Sequence, residues 1–140
     1  MIRDQLKLPL PNDFPIRKMY MYDILILSLI VLAMDSVYLS LTGSSYGRVV
    51  RQIQGSDMKM NYVGAAIAYI AIIVGLYWMI ISTGRSVLDA FVLGSFSYGM
   101  YEGTNYAIFK SWPLWAVFVD TLWGGILFAS TTYLYRQIMA

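Results

Sequence analysis

Three carboxylates interrupt the most apolar parts of this 140-residue chain: Asp35 in "DSVYL", Glu102 in "YGMYEGTNYAIFKSW" and Asp120 in "FVDTLWGG". A carboxyl held away from water can take up a proton, pair with a small cation, or accept hydrogen bonds from an amine or a polar lipid headgroup. Glu102 shares a helical face with Tyr98, four residues before it, and with Asn105, three after it. Neutral polar side chains flank the other two acids, with Ser36 and Tyr38 near Asp35 and Thr121 and Trp123 near Asp120. The nearest cations are Lys110, two turns after Glu102, and Arg48 and Arg51, all three expected to face lipid headgroups.

The residue types that are missing narrow the chemistry further. The chain has no histidine and no cysteine, which removes histidine-ligated haem, imidazole proton shuttling, thiolate zinc sites and disulfides. No nucleophile–base pair is recognisable, so the expectation is a protein that is not an enzyme, with no catalytic residues, no metal site and no cofactor. Lipid modification is the lesser alternative. A net charge of +2 and the lack of a basic, aromatic-interleaved patch argue against nucleic acid as a partner.

The elements that must position these acids are apolar helices. With 59% hydrophobic and 13% charged residues, the composition is that of a membrane protein. Four runs, at about 21–41, 62–82, 86–109 and 114–135, reach the roughly 20 residues that span a bilayer core. The expected fold class is all-α: an integral membrane four-helix bundle occupying 21–140. Residues 1–20, with Pro9, Pro11 and Pro15, form a polar arm rather than a cleavable signal. Gly84 suits the left-handed close of helix two, and Ser86 with Asp89 reads as a capping box opening helix three. Pro113 suits the first turn of helix four, so helices three and four form a tight antiparallel hairpin, with Trp112 and Trp115 in the interfacial belt. The stretch 42–61 is expected to be a loop outside the membrane, its "YGRVVRQIQ" a short interfacial helix.

Helix packing has its own signature. Ser95, Gly99, Gly103 and Ala107 form a small-residue ridge on helix three, and Thr121, Gly125 and Ala129 repeat that spacing on helix four. Such ridges let backbones approach within a membrane, here within the chain or between copies of it. Counted from the helix ends at 1.5 Å per residue, Asp35, Glu102 and Asp120 all fall roughly 9–11 Å inside one leaflet. Arg3, Lys7, Arg17, Lys18, Arg85 and Arg136 on the terminal side, against Arg48, Arg51, Lys59 and Lys110 opposite, place both termini in the cytoplasm.

The run from "DAFVLGSFSYGMYEGTNYAIF" through "DTLWGGILFASTTY", preceded by "DSVYL", "YGRVVRQIQG" and "GLYWMII", resembles the DUF2177 family of small predicted membrane proteins over about residues 21–135. The motifs carrying the resemblance are Tyr98-Gly99, Tyr101-Glu102, Thr104-Asn105, Trp112-Pro113, and Asp120 with Trp123-Gly124. The resemblance implies a four-helix integral membrane protein and supplies no activity. Bacterial members carry aspartate and leucine where this chain has Glu102 and Gly103; "IQGSDMKMN" and "DTLWGGILF" are similar to members from large DNA viruses and protists. An internal virion membrane is the location this implies.

Two functions follow as expectations. In the first, Asp35, Tyr38, Tyr98, Glu102, Asn105, Asp120 and Trp123 form a buried network that binds a proton, a small cation or a polar headgroup, with transport as its output, in a homo-oligomer. In the second, the acids only fix helix packing, and the arm and the 42–61 segment hold a soluble or capsid-type partner.

Overall fold

The computed structural model describes residues 21–140, which form four helices. In chain order these are α1 (Met21–Gln54), α2 (Tyr62–Leu76, continued by a π-helical turn over Tyr77–Ile81), α3 (Val87–Ile108) and α4 (Leu114–Met139). No strand occurs among the described residues. The arm expected over 1–20 lies outside them.

α1 does not stop where its apolar run does. It continues for 34 residues, about 50 Å at 1.5 Å per residue, so it outreaches a hydrocarbon core of about 30 Å. Most of the expected 42–61 loop, including "YGRVVRQIQ", is therefore helix, and only residues 55–61 are not. The stretch contains no proline, and the Thr42 hydroxyl at its start donates to the carbonyl four residues earlier, as Ser36 and Ser40 do in the turns before it. Buried Val49 and the Tyr46–Trp115 ring contact, with centroids 5.3 Å apart, hold the extension against the rest of the molecule. Gly55, at φ +73°, ends it.

Local chemistry also sets the other helix ends. Asn61 Oδ1 accepts from the amides of Val63 and Gly64, at 3.0 and 3.1 Å, and opens α2. The close of that helix widens, with the Ser82 amide donating to the Tyr77 carbonyl five residues back at 2.8 Å. Gly84, at φ +67°, then turns the chain. Ser86 and Asp89 bond each other's amides at 3.0 Å, a complete capping box at the start of α3.

α3 and α4 are antiparallel and make the closest contact in the molecule. A Cβ added at Gly94 would run into the Gly124 backbone, and one at Gly125 would run into Phe91 and Ser95. At Gly99 it would come within 3.3 Å of Thr121. The ridge expected on α3 is only half used, however. Gly103 has nothing within 4 Å of a built Cβ, and both it and Ala107 are exposed. A four-residue step advances about 40° beyond one full turn, so the row starting at Ser95 swings off the contact. The face that stays inward is Gly94, Tyr98, Glu102 and Asn105.

Leu27, Ile73, Leu76, Tyr77, Ile80, Ala90, Phe128 and Tyr135 form one core drawn from all four helices, beside the 82–86 turn. Three helices, Met21–Gln54, Tyr62–Ile81 and Leu114–Met139, are long and apolar enough to cross a membrane. α3, at 22 residues, has the length. Glycine, serine, asparagine and two acids lower its apolarity, and its most buried polar groups, Glu102 and Asn105, lie on the inward stripe.

Candidate functional site

α1 and α4 run antiparallel, and this decides who partners whom. Asp35 and Asp120 each precede an aromatic hydrogen-bond donor by three residues, Tyr38 and Trp123. In antiparallel register, the donor on one helix lies opposite the acid on the other. Trp123 Nε1 accordingly donates to Asp35 Oδ1 at 3.0 Å, while the Tyr38 hydroxyl donates to Asp120 Oδ1. The two rings stack, with centroids 4.4 Å apart and planes 4° from parallel. The neighbours expected from the linear sequence are thus exchanged: Tyr38 serves Asp120, not Asp35, and Trp123 serves Asp35, not Asp120. Ser36 bonds its own helix instead.

Further donors complete this clasp. The Tyr69 hydroxyl of α2 reaches Asp35 Oδ2 at 2.5 Å, and the Tyr46 hydroxyl, two turns beyond Tyr38, reaches Asp120 Oδ1 at 2.8 Å. Tyr98 of α3 lies within electrostatic reach of Asp35, Asp120, Tyr69 and Tyr38. All four helices therefore contribute to one polar patch inside the apolar fold.

Glu102 differs from the two aspartates. It is 1% exposed, and its Oε2 accepts from Trp112 Nε1 at 2.7 Å. Trp112, expected only as an interfacial residue, therefore acts as a hydrogen-bond donor to the network. Asp120 and Asn105 lie close enough to the Glu102 carboxyl to interact with it, yet Oε1 of Glu102, Nδ2 of Asn105 and Oγ1 of Thr121 make no hydrogen bond of good geometry, and further along α4 the same holds for Thr131 Oγ1. Thr121 packs against Gly99, one turn before Glu102. An acceptor, a donor and a hydroxyl are thus unmatched along one face of the α3–α4 seam. Buried polar groups left unmatched cost about 1–3 kcal/mol each.

The cations stand apart from the acids. Lys110 is exposed, and among the described residues no ion pair joins it to Glu102. Arg51 pairs with Asp57 at 3.3 Å on the exposed end of α1, and Arg48 donates to Ser45. Among the described residues, no three acidic side chains come close enough together to chelate a metal ion.

A fourth acid escapes a linear reading. Asp23 is fully buried and accepts from the Tyr135 hydroxyl at 2.5 Å, in the same α1–α4 register as the clasp. At the start of a helix an acid also suits the helix dipole, so its sequence position does not mark it as interior. Tyr46 and Tyr69 carry a fainter signal. Tyr69 is the one hydroxyl in the aliphatic stretch that follows Tyr62 in α2.

A family described as "Predicted membrane protein (DUF2177)" matches residues 20–135. No curated protein and no solved structure matches the chain.

Proposed function

The chain belongs to the DUF2177 family of predicted membrane proteins, and on that footing we propose that its Glu102–Asn105–Asp120 cluster binds a proton or a small polar cation within the membrane. Transport or permeation is the output, without enzymatic chemistry, and copies of the chain assemble to frame the path. The observation that carries this reading is that three of the four unmatched buried side-chain atoms among the described residues, Glu102 Oε1, Asn105 Nδ2 and Thr121 Oγ1, gather in this cluster. Carboxylates at membrane depth are costly unless a partner or an aqueous path serves them, and Glu102 is 1% exposed with a hydrogen bond of good geometry on only one of its two oxygens. With no three acids converging among the described residues, a proton or an organic ammonium suits the cluster better than a divalent metal ion.

The test uses proteoliposomes holding the full chain and an internal pH-sensitive dye. Dissipation of an imposed proton or methylammonium gradient should be lost in Glu102→Gln, which keeps a side-chain oxygen for Trp112 and so keeps the fold. Undiminished flux in a triple variant, Glu102→Gln with Asp120→Asn and Asp35→Asn, would sink the proposal.

A second reading has its own support. The hydrogen bonds of Asp23, Asp35 and Asp120 all cross from one helix to another, as interhelical polar staples do. On that reading the protein is an anchor for a complex or a virion, its acids fix the packing, and the triple variant only lowers stability. Its partner would dock through the arm or the exposed end of α1.

A further inference from the structure

α2 packs on α1, and α3 packs on α4, leaving an open groove where the end of α2 passes α3. Its volume is about 490 Å³, within the roughly 300–1,000 Å³ that small ligands fill. One wall is the π-helical turn, with Trp78 and Met79, and the other is the face of α3 that carries Val92, Leu93 and Phe96. Trp78 and Phe96 are each 65% exposed, Val92 59% and Met79 51%. The polar residues of the groove, Thr83, Arg85 and Asp89, gather at one end, in the turn between the helices and the first turn of α3.

This division of polarity has the dimensions of a lipid. From Ser86 to Phe96, α3 descends about 15 Å at 1.5 Å per residue, half of a hydrocarbon core of about 30 Å. The apolar walls therefore serve one leaflet, and the charged end lies at headgroup level. That end carries one positive and one negative side chain. The Asp89 carboxylate already serves the capping box through Oδ2, and Arg136 donates to the backbone carbonyl of Arg85, a contact that does not engage the Arg85 guanidinium. A guanidinium suits a phosphate and a carboxylate suits an ammonium. The π-helical turn is a second feature of the same wall: such turns are uncommon and recur at functional sites, and this one sets Trp78 and Met79 along the groove while Tyr77 and Ile80 remain buried in the core.

We infer that this groove binds one zwitterionic phospholipid, with its phosphate on Arg85, its ammonium on Asp89 and an acyl chain between Trp78 and Phe96. The site is separate from the acid cluster and does not depend on the transport proposal.

The full chain, delipidated in mild detergent, would be titrated with phosphatidylethanolamine and with phosphatidylglycerol of the same acyl chains, with bound lipid read by native mass spectrometry. One phosphatidylethanolamine should be retained, about tenfold more tightly than phosphatidylglycerol, which lacks the ammonium. Arg85→Gln should weaken phosphatidylethanolamine about tenfold, and Asp89→Asn, which keeps an oxygen for the cap, should erase the preference between the two lipids. Val92→Trp, at an exposed wall position, should empty the groove, with helicity by circular dichroism as the check on folding. Equal retention of the two lipids by the wild type would overturn the headgroup assignment, and unchanged retention in folded Val92→Trp would overturn the groove. Should Val92→Trp not fold, unchanged retention in Arg85→Gln overturns the site.

Discussion

The two ends of the helical core use the same bond to different effect. At the end near the 82–86 turn, a single acid, Asp23, meets Tyr135 within a shell of Leu27, Leu76, Ile80 and Phe128. At the other end, Asp35, Glu102 and Asp120 draw on Tyr38, Tyr46, Tyr69, Trp112 and Trp123. The first end is a staple set in an apolar core. The second keeps more polar capacity in reserve: Glu102, Asn105 and Thr121 retain unmatched atoms there, against Thr131 Oγ1 alone near the first end. The α3–α4 seam follows the same gradient, closed to the backbone at Gly94 and Gly124 and open at Gly103. Close backbone packing is concentrated at one end and most of the unspent hydrogen-bonding capacity at the other.

The sharpest way to break this contrast is to fill the seam. Gly94→Val puts a side chain against the Gly124 backbone, which cannot retreat as a flexible side chain can. Thermal unfolding in detergent should show a loss of about 3 kcal/mol or more. The same substitution at Gly103 meets open space and should stay within about 0.5 kcal/mol; equal losses at the two glycines would mean that the seam closes along its whole length. Asp23→Ala comes next, because it takes a buried partner from the Tyr135 hydroxyl; a loss of about 1–3 kcal/mol is expected. Tyr69→Phe and Trp123→Phe each remove one donor from Asp35. Interhelical hydrogen bonds in membranes average about 0.6 kcal/mol and reach about 1.7, so each variant should fall in that range, while the double variant, which strips both donors from one carboxylate, should lose more than their sum. Lys110→Ala should change nothing measurable, since Lys110 is exposed and unpaired with Glu102; destabilisation that appears only when Glu102 is intact would show that the two charges meet in the membrane.

Much of the scaffold was legible in the residues because its causes are local. Ser86 with Asp89, and Gly84 at positive φ, act within a few residues of themselves, so their types and spacing suffice to read them. The apolar runs and the isolated acids are legible for the same reason: hydropathy belongs to a segment and needs no partner. The extent of α1 was not legible, since Tyr46, Trp115 and Val49 stabilise its last turns through contacts between helices. The small-residue row misled for a geometric reason. A spacing of four describes neighbours on one helix, but over three steps it winds away from the face that another helix touches.

By itself, the sequence determined an all-helical membrane protein, its caps and turns, and the presence of acids where lipid would exclude them. Only the tertiary structure decided which donor meets which acid. The antiparallel register of α1 and α4 gives Trp123 to Asp35 and Tyr38 to Asp120, and it buries Asp23 against Tyr135. The turn from α3 to α4 brings Trp112 onto one oxygen of Glu102 and leaves the other without a hydrogen bond of good geometry. A hydrogen bond needs two groups within about 3 Å of each other, and that distance is a property of helices placed side by side.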